Sequence, residues 1–122
     1  MAFLFVYGTL RSDAKQSVLL AGCPRKKATV LGTLYSLPAG YPALCPVGSN
    51  TVHGELVEGI DEARLQILDA YEGVAEGLFR RERIAADWGL QRTEAWVYVM
   101  DAPHHHGGQP LPSGRWRRTR RR

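Results

Sequence analysis

The stretch Phe3–Arg11 reads FLFVYGTLR, and it joins four apolar residues directly to a turn that contains Gly8. A short apolar run that is closed by a glycine turn is typical of a buried strand that ends in a loop. Gly8 has no side chain, so the backbone N–H groups around it could approach a ligand, and Tyr7 and Thr9 would add hydroxyl groups. Taken alone, these residues favour an ordinary strand and turn over a binding loop.

The length and composition of the chain favour one globular domain. The chain has 122 residues, of which 44% are hydrophobic, and this is enough to bury a substantial core. No apolar run approaches the length that crosses a membrane, and the apolar start lacks the basic segment of a secretory signal. We therefore expect a cytoplasmic protein that does not bind membranes.

The positive charge of the chain is concentrated at its C-terminus. The chain has 16 basic and 12 acidic residues, a net charge of +4, and six of the arginines lie in the last eight residues. Without those six, 10 basic residues stand against 12 acidic ones. We expect a domain over residues 1–116 and a disordered basic tail over residues 117–122. Nucleic acid is not an expected partner, although such a tail could attract it by charge alone.

Cysteine and histidine give no clear metal or nucleophile site. Cys23 and Cys45 lack C-x-x-C spacing, so we expect free thiols in a cytoplasmic protein. Cys45 as a nucleophile would need His53 as its base, and nothing in the sequence connects the two. The histidine run at residues 104–106 lies in a loop rich in glycine and proline and defines no ligand geometry. We expect neither a metal nor another cofactor.

The order of predicted elements indicates an α+β protein. A short helix over residues 12–21, capped by Ser12 or Asp13, follows the first strand. The clearest helix begins at the N-cap Asp61 and ends at Gly73, with an apolar face that includes Ile67 and Leu68. Strands are predicted over residues 27–37, with a bulge at Gly32, and over residues 43–47, 52–57, 78–86 and 94–100. Residues 48–50 are predicted as a turn and residues 102–114 as a loop.

Internal glycines in several strands favour a sheet that curls. We therefore expect a mixed, partly closed β-barrel with helices packed outside it, as a single α+β fold.

Glu72 is the acidic residue with the most unusual position. It is predicted at the C-terminal end of the second helix, where the helix dipole disfavours a carboxylate. If it is buried near Tyr7–Leu10, its pKa should rise, which suits a general base near neutral pH. An exposed glutamate before a capping glycine is the alternative that the sequence alone favours. Asp69 lies one helical turn earlier, and we interpret it as a surface residue, as we do the charged run at residues 80–83.

Taken together, these segments resemble the γ-glutamylcyclotransferase-like family, in particular its small bacterial-type members with a YGTLR motif. The resemblance extends in order along nearly the whole chain. It rests on Tyr7–Arg11, Gly32–Tyr35 with Gly40–Ala43, His53–Leu56, Leu68–Gly73, Phe79–Arg81, Ala95–Val99 and Pro112–Trp116. It implies a barrel with a cavity beside the YGTL loop and a metal-independent enzyme that cyclises a γ-glutamyl amine or peptide to 5-oxoproline.

The resemblance also implies roles for individual residues. Glu72 would be the catalytic acid and base. The substrate would be held by residues of the YGTL loop and of two later strands, namely Tyr7, Gly8, Thr9, Leu10, Phe79 and Tyr98. Phe79 departs from the family, where many relatives carry a tyrosine, and Arg115 stands where an acidic residue is common. A non-catalytic module that binds a small molecule in the same cavity is the alternative, and we expect a monomer or weak homodimer.

Overall fold

The stretch that opens the sequence forms a buried strand, as predicted. The computed structural model describes residues 2–8, 10–11 and 15–117, with the side chains of residues 15–17 left out. Strand β1 is Ala2–Val6, and its last three side chains, Leu4, Phe5 and Val6, are buried. A turn containing Gly8 follows it.

The strands form a mixed sheet that closes on itself. Five strands follow β1 along the chain: β2 (Arg25–Ser36), β3 (Pro42–Ile60), β4 (Arg80–Trp88), β5 (Gln91–Val99) and β6 (Gln109–Pro110). Strand β1 pairs antiparallel with β3 on one side and parallel with β5 on the other, and β4 continues the ring from β5 to β2. The ring closes because β2 pairs antiparallel with β3. The predicted α+β fold with a partly closed barrel is confirmed.

One predicted turn is wrong. Residues 48–50 do not separate two strands, because β3 runs unbroken over 19 residues. Instead, the pairing with β2 jumps from Gly32–Asn50 to Thr33–Cys45, so the extra residues of β3 form an irregular bulge. The bulge expected at Gly32 is therefore present. Its extra residues belong to β3 and are the turn-forming residues opposite Gly32.

Helix α1 (Glu62–Tyr71) has the ends that the sequence predicts. The side chain of Asp61 accepts a hydrogen bond from the Arg64 backbone N–H at 2.8 Å, and Gly73 adopts a left-handed conformation with φ of 67°. The predicted apolar face is partly wrong, because Leu65 and Leu68 are buried whereas Ile67 is 57% exposed.

Two other segments differ from the prediction. The described part of the first predicted helix is a 3₁₀ helix over Lys15–Leu20, and the proposed caps Ser12 and Asp13 lie outside the described residues. The predicted loop over residues 102–114 contains a 3₁₀ turn, Pro103–His106, and the short strand β6. None of the helices in the described ranges has the length and apolar character needed to span a bilayer.

Alternation along the strands separates two apolar clusters. Phe5 of β1 and Val97 of β5 belong to the cluster inside the ring. Leu4 and Val6 of β1 belong with Tyr98 of β5 to a second cluster, which also contains buried side chains of α1. Because successive strand residues face opposite sides, β1 is covered on both faces. The C-terminal end of α1 thereby comes close to the loop after β1.

Candidate active site

A cavity of about 290 Å³ lies between the end of β1 and the C-terminal end of α1. This volume is at the lower end of the ~300–1,000 Å³ range of small-molecule sites. Its described lining is aromatic and aliphatic except for one carboxylate, and consists of Phe5, Val6, Tyr7, Gly8, Leu10, Tyr41, Pro42, Tyr71, Glu72, Leu78, Phe79 and Tyr98.

The structure brings the residues predicted for the site into this one cavity. Those in the described ranges all line it: Tyr7, Gly8, Leu10, Glu72, Phe79 and Tyr98. Thr9, the remaining predicted residue, lies outside the described residues. Segments that are more than sixty positions apart in the sequence therefore meet around one space that a small molecule could fill.

Glu72 is the C-cap of α1, and its backbone N–H donates to the Leu68 carbonyl at 2.9 Å. The side chain is partly buried and lines the cavity. Removal of the carboxylate from water raises the pKa of Glu72 from 4.5 to about 7. The negative end of the helix dipole acts in the same direction. An exposed glutamate at this position, the alternative that the sequence favoured, is not what the structure shows.

The Tyr7 hydroxyl forms its hydrogen bonds with backbone groups of the protein. It donates a hydrogen bond to the backbone carbonyl of Tyr98 at 2.6 Å and accepts one from the Leu44 backbone N–H at 3.1 Å. Burial, followed by the nearby charge of Glu72, raises the pKa of Tyr7 far above its ordinary value. The ring lines the cavity, but the hydroxyl joins the end of β1 to β3 and β5.

Gly8 has a packing reason to be glycine. A Cβ atom at this position would lie 2.6 Å from Cγ and 2.9 Å from Cδ of Pro42, which is closer than real Cβ contacts. Pro42 also lines the cavity, so the close approach of the loop to Pro42 forms part of the wall. Close approach of a ligand to the backbone is therefore not the only reason for a glycine at this position.

Two arginines fix the loop after β1, and neither of them has a role predicted from the sequence. Arg25 donates to the Leu10 carbonyl at 2.7 Å and to Glu55 at 3.0 Å. Arg11 donates to the backbone carbonyl of Trp116 at 2.7 Å, and its guanidinium lies 5.6 Å from the centre of the Trp116 ring. No pattern in the sequence connects this loop with a basic residue at the start of β2 or with a tryptophan late in the chain.

The interpretation of Asp69 as a surface residue is wrong. Its carboxylate accepts a hydrogen bond from the Tyr98 hydroxyl at 2.7 Å and pairs with Arg81 at 3.0 Å, and the Asp69 side chain is 26% exposed. Arg81 in turn lies over the Trp96 ring at 4.5 Å, so it does not belong to an exposed charged face. The three-residue spacing from Glu72 is the one signal that placed Asp69 near the site.

Comparison with known proteins identifies the family. The family model described as "Gamma-glutamyl cyclotransferase, AIG2-like" matches residues 4–118. This chain belongs to that family. A curated relative, AIG2-like protein D of Arabidopsis thaliana, is 31% identical over 117 residues, which cover 88% of this chain and 74% of the relative.

Solved structures show the same fold as this AIG2-like chain. The solution structure of YtfP from Escherichia coli is 35% identical, with a TM-score of 0.69, over 93% of this chain and 95% of that one. The crystal structure of YkqA from Bacillus subtilis is 28% identical, with a TM-score of 0.73, over 94% of this chain. The match spans only 39% of the length of YkqA.

The other candidate groups of this AIG2-like member lie away from the cavity. The Cys45 thiol donates to the Asp101 carbonyl at 3.6 Å, and neither Cys45 nor His53 lines the cavity. Burial, followed by the charge of Arg115, lowers the pKa of His53. The histidines of the turn Pro103–His106 are exposed, and no group of three or more potential metal ligands occurs in the described part of the chain.

Proposed function

We propose that this protein converts a γ-glutamyl amine or peptide to 5-oxoproline and the free amine, with Glu72 as the general acid and base. One observation carries the proposal. Among the described residues that line the cavity, Glu72 is the single carboxylate, and its pKa of about 7 lets it both accept and return a proton near neutral pH. Membership of the γ-glutamyl cyclotransferase family supports the class of reaction.

The reaction needs one proton carrier and no oxidant or second substrate. The ionised Glu72 takes a proton from the α-ammonium group of the substrate, and the resulting amine attacks the γ-carbonyl carbon. A new C–N bond closes the five-membered ring. The original amide C–N bond then breaks as Glu72 returns its proton to the nitrogen of the leaving amine. The ring nitrogen gives up its remaining extra proton, which the released amine takes up as it leaves as an ammonium ion.

Geometry supplies much of the expected acceleration. The nucleophile and the carbonyl belong to the same molecule, and well-oriented intramolecular reactions reach effective molarities of ~10⁵–10⁸ M. We propose that the loop at Tyr7–Leu10 holds the substrate in the folded shape, with backbone N–H groups directed at its oxygens. The anchoring of Leu10 by Arg25 supports this role, since a fixed loop holds its donors in place before the substrate arrives.

The side chains that meet the substrate divide by chemistry. Phe79 and Leu10 offer apolar contacts, whereas the raised pKa of Tyr98, caused first by burial and then by its bond to Asp69, keeps that hydroxyl protonated. A phenol that stays protonated cannot compete with Glu72 as the base. We also propose a cytoplasmic location, which the free thiols Cys23 and Cys45 support.

The test is incubation of the purified protein with a panel of γ-glutamyl amines and γ-glutamyl amino acids, with detection of 5-oxoproline. We expect product from at least one member of the panel and a loss of at least about 100-fold in Glu72→Gln, the range that removal of a general acid–base group produces. The matched control is Glu76→Gln, which removes an exposed carboxylate from the segment after α1 and should retain activity.

Two results would contradict the proposal. Activity that survives Glu72→Gln would remove the assigned acid and base. Binding of 5-oxoproline without product from any γ-glutamyl compound would instead support a non-catalytic binding module. The absence of a hydroxyl at Phe79 is the observation that favours this second candidate, because the resemblance places a tyrosine there in many relatives.

A further inference from the structure

The hydroxyl of Tyr98 donates its hydrogen to Asp69 and not to a group of the cavity. Tyr98 lines the cavity with Glu72, and its hydroxyl donates to Oδ1 of Asp69 at 2.7 Å. Arg81 contacts the same carboxylate, with Nε 3.0 Å from Oδ1 and Nη2 3.2 Å from Oδ2. Tyr98 and Arg81 both present donors to these carboxyl oxygens, which accept them, so the single phenolic hydrogen points toward Asp69.

The consequence concerns the lone pairs of the Tyr98 oxygen. A phenol whose hydrogen is committed to a carboxylate can only accept from its other neighbours. The backbone at Tyr98 is tied to the loop after β1, because its carbonyl accepts the Tyr7 hydroxyl at 2.6 Å. Tyr98 and Glu72 line the same cavity, so one small molecule bound there could contact both side chains.

We propose that Asp69, held by Arg81, is a positioning residue that makes the Tyr98 oxygen a hydrogen-bond acceptor for the α-ammonium group of the substrate. This inference rests on the proposed function, in which that ammonium gives its proton to Glu72. Tyr98 would hold the nitrogen beside the carboxylate and would select substrates that carry a free α-amine. A Tyr98 hydroxyl that was free to donate its hydrogen would instead also accommodate substrates with a hydrogen-bond acceptor in place of the ammonium group.

The first experiment tests, without any substrate, whether Asp69 holds the hydroxyl hydrogen of Tyr98. Protein labelled with ¹³C at tyrosine Cζ is examined by NMR in equal parts of H₂O and D₂O, where a slowly exchanging hydroxyl gives a doubled Cζ signal. Tyr98, assigned through Tyr98→Phe, should give a doubled signal in the wild type and a single one in Asp69→Ala. The buried Tyr7 hydroxyl, doubled in both proteins, is the internal control.

Asp69→Asn is the conservative variant. Its amide oxygen can occupy the Oδ1 position and accept from both Tyr98 and Arg81 Nε, while the NH₂ group replaces Oδ2 and gives up the bond from Arg81 Nη2. The reverse orientation would place the NH₂ group against Tyr98 and Nε together. The doubled Tyr98 signal should therefore persist in Asp69→Asn. A doubled signal that also persists in Asp69→Ala would overturn the proposal.

The second experiment tests recognition of the ammonium group. Titration calorimetry at pH 5, where Glu72 is mostly protonated and turnover is slow, compares a γ-glutamyl amide with the glutaryl amide that lacks the amine. Tyr98→Phe and Asp69→Ala should each weaken binding of the γ-glutamyl compound by about 10- to 100-fold, the effect of a lost hydrogen bond to a charged group. Binding of the glutaryl compound should change by less than about threefold, and Asp69→Asn should stay within about fivefold of the wild type.

The double variant separates positioning from a purely structural role. If Asp69 acts through Tyr98, the Asp69→Ala/Tyr98→Phe protein should bind the γ-glutamyl compound no more weakly than the single variant with the lower affinity. Equal weakening of both compounds, or losses that multiply, would contradict the inference. Failure of the wild type to form 5-oxoproline would contradict the proposed function alone, because the NMR signals and the two affinities need no turnover.

Discussion

Burial of the Glu72 carboxylate should make the stability of the protein depend on pH in a definite direction. The pKa of Glu72 is raised by burial from 4.5, its ordinary value, to about 7 in the folded protein. The folded state therefore binds this proton more tightly than the unfolded state. The associated stability is fully present below pH ~4.5 and is lost as the pH rises to about 7.

The size of this effect follows from the two pKa values. The difference between 4.5 and about 7, at ~1.36 kcal/mol for each tenfold change in proton affinity, corresponds to about 3 kcal/mol. Because Glu72 is partly buried, solvent screening reduces the expected value to about 2 kcal/mol. Glu72→Gln, which has no charge to bury, should therefore gain about 2 kcal/mol relative to the wild type between pH 4.5 and pH 8.

The assay is urea unfolding of the wild type and Glu72→Gln at half-unit intervals from pH 4 to pH 8.5. Subtraction of the two free energies of unfolding cancels the titration of groups that both proteins share. Glu76→Gln is the matched control, since it removes a charge from an exposed site and should differ from the wild type by a pH-independent amount within ~0.5 kcal/mol. A wild-type-minus-Glu72→Gln difference that stays flat across this range would refute the burial argument.

Two further substitutions test the walls of the cavity. Tyr7→Phe leaves the buried Leu44 N–H and the Tyr98 carbonyl without their partner, so it should lower the free energy of unfolding by about 2–4 kcal/mol; a loss below 0.5 kcal/mol in urea unfolding would show that the hydroxyl does not join these strands. Gly8→Ala places a Cβ 2.6 Å from the Pro42 ring and should cost about 1–3 kcal/mol in the same assay. Wild-type stability of Gly8→Ala would contradict the close packing of the loop against Pro42.

Local patterns in the sequence were sufficient for much of the fold. The apolar run before Gly8 predicted β1, and Asp61 and Gly73 predicted the two ends of α1, because strand burial and helix capping depend on neighbouring residues. The prediction of a turn at Gly48 and its neighbours was wrong. Their turn-forming character is real, but pairing with β2 decides whether such residues end a strand or bulge from it.

The site was predictable as a set of residues and not as an arrangement. Glu72 could be singled out because a carboxylate at a helix C-terminus is unfavourable, and the resemblance to a family supplied the role. The contacts of Asp69 with Tyr98 and of Arg25 with Leu10 could not be derived, because they join residues that only the closed ring brings together. The hydrogen bonds of the Tyr7 hydroxyl to backbone groups could not be predicted for the same reason.

The pH dependence of 5-oxoproline formation tests the central claim most directly. At substrate concentrations well below KM, the rate reports the ionisation of the free enzyme, and only the ionised form of Glu72 can accept the proton of the α-ammonium group. We expect kcat/KM to rise tenfold per pH unit below the pKa of Glu72, with the midpoint near pH 7. A profile that is flat between pH 5.5 and pH 8, or that has its midpoint near pH 4.5, would contradict the assignment of a buried Glu72 as the base.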